Sequence, residues 1–107
     1  MQKLLFICTQ NKLRSPTAEH VFAKVDGLEC DSAGLGNDAD VKLSPEQIAW
    51  ADIIFVMERA HRSKLSKRFK KHLDGKPVIV LGIPDDFDYM DENLVTLLQT
   101  KVPQFLR

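Results

Sequence analysis

Residues 3–18 read KLLFICTQNKLRSPTA, and the division of this stretch into strand, loop and helix decides the fold. The run from Lys3 to Cys8 is short, apolar and closed by a cysteine, so it reads as a buried strand. Ser15-Pro16 then reads as a helix start, with Ser15 as the N-cap, Pro16 in the first helical position and Glu19 in the first turn. Ala18, Val21, Phe22 and Val25 recur at helical spacing until Gly27 stops the run. Five residues, Thr9 to Leu13, are left as the loop between the two.

The same alternation continues outward. Residues 28–33 read as a second strand, followed by a loop marked by Gly34, Gly36, Asn37, Asp38 and Asp40. Ser44 with Gln47 three residues on is a capping-box signal, opening a short helix through Ile48 and Trp50. Apolar runs at 52–57 and 78–83 read as the third and fourth strands. Between them residues 58–73 form a basic helix with Leu65, Phe69 and Leu73 on one stripe, ended by Gly75 and Pro77. Asp91 caps a last helix carrying Leu94, Val95, Leu97, Leu98 and Val102 and broken at Pro103. Strands of continuous apolar character separated by helices predict an α/β fold. The expected form is a three-layer α/β/α arrangement around a four-stranded parallel sheet. In such sheets the functional crevice lies at the carboxyl ends of the strands, here after Cys8, Ala33, Met57 and Ile83.

Composition narrows the class. The 107 residues fit one domain, 1–107, and 44% hydrophobic with 28% charged residues is ordinary for a globular chain and unlike a disordered one. Two cysteines do not make a disulfide framework, and the apolar run at 4–7 is too short for a membrane span or signal peptide. A cytoplasmic location is expected. Fifteen basic and fifteen acidic residues cancel, but unevenly. Residues 1–57 carry a net −3, 58–76 a net +6 and 77–107 a net −3.

The segment after the first strand has a direct chemical reading. Backbone N–H groups of the loop and the helix N-terminus point at one spot and form an anion cradle. Arg14 adds a planar fork able to grip two oxygens of a tetrahedral oxyanion. Cys8 lies at the base of that cradle, where positive potential favours the thiolate, the nucleophilic form. A thiolate facing a phosphate held this way is arranged for phosphoryl transfer. The competing reading of Cys8 is a small core residue at a strand end.

These residues resemble the low-molecular-weight protein tyrosine phosphatase family. Its signature is a strand ending in Cys, five residues, then Arg-Ser-Pro, with Asn three residues after the Cys. Here it reads Cys8-Thr9-Gln10-Asn11-Lys12-Leu13-Arg14-Ser15-Pro16. A second motif, Asp-Ser-Ala-Gly, stands at Asp31-Ser32-Ala33-Gly34, and a third is approximated by Val56-Met57-Glu58. The resemblance implies the family's fold and a phosphocysteine mechanism with Cys8 as nucleophile and Arg14 on the phosphoryl oxygens. Thr9, Gln10, Asn11, Lys12, Leu13, Arg14 and Ser15 would form the phosphate-binding loop. It further implies that Ser15 hydrogen-bonds the thiolate, and that Asn11, braced by Ser32, holds the loop in its strained shape. Taken alone, Asn11 also reads as a turn residue, Ser15 as a helix cap and Ser32 as a strand-end residue.

The family supplies a general acid Asp in a loop after the fourth strand, which here reads Ile83-Pro84-Asp85-Asp86-Phe87. Aligning the strand ends puts Asp85 on the acid, Asp86 where Pro is usual and Phe87 on an aromatic position beside the substrate; a one-residue slip makes Asp86 the acid. The bland reading is an acidic surface loop. Gln10 replaces a family Gly, and Leu13 replaces the second loop cysteine of many members, so no disulfide within the loop is expected. Cys30, in the second strand, reads as a buried structural thiol. The stretch between Gly34 and Ser44 is shorter than is typical of the family, where it contributes to the pocket wall, so a shallower pocket is expected.

The expected partners are a phosphorylated protein or small aryl phosphate as substrate and inorganic phosphate as product and inhibitor, with no cofactor, no metal and no membrane. His20, His61 and His72 lack a metal-ligand partner at a recognisable spacing, although His61 follows the third strand's end near the site rim. Arsenate reductases share the fold and loop but need relay cysteines beyond the single Cys30. The alternatives are an inactive phosphate- or phosphoprotein-binding relative and a nucleic-acid module using the basic helix 59–71. That helix, with Arg59, Arg62, Lys64, Lys67, Arg68, Lys70 and Lys71, has no interleaved aromatics for base stacking, so nucleic acid is not the expected partner.

Overall fold

The opening apolar run is strand β1, Gln2–Cys8, in the computed structural model, which describes residues 1–106. The remaining elements are α1 (Arg14–Phe22), β2 (Leu28–Gly34), α2 (Pro45–Trp50), β3 (Ile53–Val56), α3 (Arg59–Leu73), β4 (Val78–Val80) and α4 (Glu92–Lys101), then a 3-10 turn at Pro103–Phe105. The strands pair in the order β2-β1-β3-β4, every pair parallel. This is the four-stranded α/β/α architecture that the alternation of elements predicts.

Successive strand residues point to opposite faces, so each apolar strand must be covered twice. Leu4, Phe6 and Cys8 of β1, with Phe55 and the adjoining Met57, pack against Ala18 and Phe22 of α1 and Leu94 and Leu98 of α4. Leu5 and Ile7, with Ile54 and Val56, pack the other way against Ile48 of α2 and Leu65 of α3. Phe6 anchors the first layer, its ring stacked 5.8 Å from Phe22 and 5.3 Å from Phe55.

The chain leaves β1 for β2 on one side and later returns to β3 on the other. That reversal opens a crevice at the carboxyl ends of β1 and β3. Cys8 is at its floor, paired in register with Gly34.

Three elements differ from their expected form. Helix α1 starts at Arg14 with Leu13 as its N-cap and no side-chain cap, because the Ser15 hydroxyl is engaged elsewhere; Glu19 therefore falls outside the first turn. It also ends at Phe22, which leaves Val25 outside the helix and exposed. Strand β4 is shorter than 78–83 because Gly82 takes φ +68°, although Leu81 and Ile83 still donate to Val56 O and Met57 O at 2.9 Å. Phe69, at φ −127°, kinks α3, which stops at left-handed Asp74. The Ser44–Gln47 capping box and the Asp91 cap are both formed.

Candidate active site

The loop from Cys8 to Arg14 is shaped from behind. Leu35, Gly36 and Asp40 donate their backbone N–H groups to the carbonyls of Cys8, Thr9 and Gln10 at 3.0, 2.7 and 2.9 Å. Three successive loop carbonyls are thereby committed to the segment after β2. That close approach requires glycine: a Cβ on Gly34 would lie 2.5 Å from Thr9 O and 3.0 Å from Asn11 N. Asn11 completes the turn at φ +57°, a left-handed conformation that Asn tolerates better than most residues.

Cys8 Sγ is surrounded by donors. The Asn11 backbone N–H reaches it at 3.3 Å, and Ser15 Oγ is 2.9 Å away. Asn11 Nδ2 donates to the same Ser15 oxygen at 3.0 Å, which leaves the hydroxyl proton for the sulfur. Cys8, Thr9, Gln10, Lys12, Leu13, Arg14 and Asp85 line a cavity of about 190 Å³.

Arg14 is almost fully buried, and its partners explain how the fork is aimed. Nη1 donates to Glu58 Oε2 at 2.7 Å and to Ile83 O at 2.8 Å. The Nε–Nη2 edge remains for an anion, with Asp85 Oδ1 3.7 Å from Nε. The bond from Arg14 holds the Glu58 carboxyl below its ordinary range, against the opposing effect of its partial burial.

The structure brings Cys8, Arg14 and Asp85 to one cavity, together with Thr9, Gln10, Lys12 and Leu13, while Asn11 and Ser15 are buried behind it. Asp86 is exposed and does not line this cavity. Ser32 does not brace Asn11: its hydroxyl donates to Glu19 Oε1 of α1 at 2.5 Å. Ser15 is not the helix cap, since its hydroxyl serves the sulfur and the asparagine. Phe87 packs on the core layer that α1 and α4 cover and does not line this cavity. The residues between Gly34 and Ser44 support the loop from behind and contribute nothing to this cavity's lining among the described residues. Cys30 is half-buried, its thiol pushed up to about 11 by burial and by Glu19. Glu58, the Ile83 carbonyl and buried His61 join the site; the sequence marks Glu58 only as part of a motif and His61 only as near the rim, and assigns neither a partner. Their sequence signals are the Val56-Met57-Glu58 motif and their positions at the ends of the third and fourth strands.

A family model described as low molecular weight phosphotyrosine protein phosphatase matches residues 3–74. The chain belongs to this family. A search of curated proteins gave no significant match. Among solved structures, the arginine phosphatase YwlE from Geobacillus stearothermophilus is 23% identical with a TM-score of 0.73, covering 100% of this chain and 99% of that one. SP-PTP from Streptococcus pyogenes, a low molecular weight protein tyrosine phosphatase, is 17% identical with a TM-score of 0.81, over 100% and 95%. The tyrosine phosphatase Wzb from Escherichia coli K30, solved with phosphate, is 22% identical with a TM-score of 0.77, over 97% and 95%. As a member of the low molecular weight phosphatase family, the protein is a cysteine-based phosphatase, a hydrolase of phosphorylated substrates. Among the described residues, no helix is long and apolar enough to cross a membrane.

Proposed function

We propose that the protein hydrolyses aryl phosphomonoesters, phosphotyrosine in proteins being the natural class, through a phosphocysteine on Cys8. The observation that carries this reading is the common cavity of Cys8, Arg14 and Asp85, with the Ser15 hydroxyl and the Asn11 N–H on the sulfur. The phosphoryl group rests in the loop with two oxygens on the Nε–Nη2 edge of Arg14. The Cys8 thiolate attacks phosphorus, and the P–O bond to the aryl group breaks as Asp85 gives its proton to the leaving oxygen. The Asp85 carboxylate then takes a proton from water, whose oxygen attacks phosphorus. Phosphate leaves, and the thiolate returns to the donors of Ser15 and Asn11. Asp85 is assigned over Asp86 because it shares the cavity and stands 3.7 Å from Arg14 Nε. The chemistry belongs in the cytoplasm, where the thiol stays reduced.

The test compares p-nitrophenyl phosphate, a phosphotyrosine peptide and a phosphoarginine peptide as substrates of the metal-free protein. The expected order is turnover of the first two, abolished in Cys8→Ser. Turnover of phosphoarginine alone would replace the aryl ester by a phosphoguanidine. No turnover of any substrate, with phosphate still bound, would make the site a phosphate-binding module.

A further inference from the structure

We propose that His61 is a positioning residue: a neutral imidazole protonated on Nε2, which ties the phosphate loop to the start of α3 and sets the acid limit of the site. This rests on the cavity over Cys8 being a phosphate site. His61 is 3% exposed, whereas His20 and His72 are exposed. Both of its ring nitrogens are in use. Nδ1 accepts the backbone N–H of Glu58 at 3.1 Å, so Nδ1 carries the lone pair and the proton is on Nε2. Nε2–H therefore donates to Thr9 Oγ1, 2.9 Å away.

The two bonds reach the site by separate routes. Thr9 is the first loop residue after Cys8 and lines the cavity; its carbonyl is already held by Gly36, so the histidine fixes it from a second side. Glu58 is the residue whose carboxylate anchors Arg14 Nη1. One ring thus steadies both the loop and the partner of the phosphate-gripping guanidinium.

Ionisation would undo the bond to Glu58, while Nε2–H goes on donating to Thr9 Oγ1. The second proton has only Nδ1 to occupy, where it meets the Glu58 N–H, donor against donor. Arg14 from α1 and Lys64 on α3 oppose the added charge, while Glu58, just before α3, and Asp85 in the loop after β4 favour it. Burial is the largest influence and also opposes it, so the ring ionises only below its ordinary value of 6.5. Acid then takes the acceptor from the Glu58 N–H at the start of α3, the residue whose carboxylate holds Arg14 Nη1.

Nitrogen-detected NMR of the intact protein reads the tautomer and its titration, and inorganic phosphate titrated at pH 7 reads the site. Expected are an Nε2–H tautomer, ionisation below pH 6.5, and phosphate affinity three- to tenfold weaker, order of magnitude, in both His61→Asn and Thr9→Val. The acid fall of kcat/KM with p-nitrophenyl phosphate should follow the NMR titration in wild type and lose that step in His61→Asn. Thr9→Val leaves the buried ring in place, so its loss of phosphate affinity at an unchanged melting temperature separates positioning from folding. An Nδ1–H tautomer, ionisation at or above 6.5, or wild-type phosphate affinity in Thr9→Val overturns the proposal. The NMR readouts need neither turnover nor phosphate. A wild type that binds no phosphate defeats the functional reading, while the tautomer and titration still decide the role of the ring.

Discussion

At the scale of single residues, the proposed chemistry divides between a thiolate and a carboxyl, and truncations separate them. Asp85→Ala is expected to lower kcat for p-nitrophenyl phosphate by roughly 10²–10⁴-fold, the usual contribution of a positioned general acid. Asp86→Ala should stay within a few-fold of wild type; the reverse order would move the acid one residue along the loop. Glu58→Gln keeps a hydrogen-bond acceptor for Arg14 but removes its charge, so KM should rise more than kcat falls. Steady-state kinetics on the three variants decide these points. The loop residues were legible in the sequence because Cys8 and Arg14 are six positions apart on one strand-to-helix turn. Arg14 meets Glu58 across 44 positions and the Ile83 carbonyl across 69, and local spacing carries no signal for such pairs. Ser32 was misassigned for the opposite reason. A hydroxyl can bond whichever partner lies within reach, and here it donates to Glu19.

At the scale of elements, the segment after β2 is the mould of the loop from Cys8 to Arg14. Gly34→Ala would push a methyl group to within 2.5 Å of Thr9 O, so the loop must shift. Weakened phosphate binding is expected with the sheet retained, read by phosphate titration alongside far-UV circular dichroism. Wild-type affinity in this variant would show that the carbonyl bonds do not shape the cradle. The capping box of α2 is a local device and was legible for that reason; Ser44→Ala should cost about 1 kcal/mol in a denaturant melt. The start of α1 was misjudged because Ser15 has the usual identity of a cap but spends its hydroxyl on Cys8 and Asn11.

At the scale of the whole molecule, three shifted groups bound the pH range of stability. His61 and Glu58 have folded values below their ordinary 6.5 and 4.5, so the unfolded chain binds more protons in acid. Their contributions are complete above those ordinary values and are lost as pH falls through the lowered ones. Cys30 has the opposite sense: raised from 9.0 to about 11, it contributes fully below 9.0 and loses that contribution as pH rises through 11. Thermal melts should therefore show a plateau from about pH 6.5 to 9. Cys30→Ala should flatten the alkaline fall and leave the acid one. The charge segregation seen in sequence lies on one surface helix: every Lys and Arg side chain of α3 is exposed, and one of them, Arg68, donates to Leu35 O at 2.7 Å, on the strut behind the loop.

A phosphocysteine on Cys8 can be trapped by an acid quench and read by mass spectrometry. Asp85→Ala is mixed with p-nitrophenyl phosphate, quenched within the first turnovers and digested with trypsin. The peptide spanning residues 4–12, which carries Cys8, should gain the mass of one phosphoryl group, localised by fragmentation to the cysteine and absent when Cys8 is also changed to Ser. A peptide that stays unmodified during turnover, or a phosphoryl group on Thr9, would rule out Cys8 as the nucleophile.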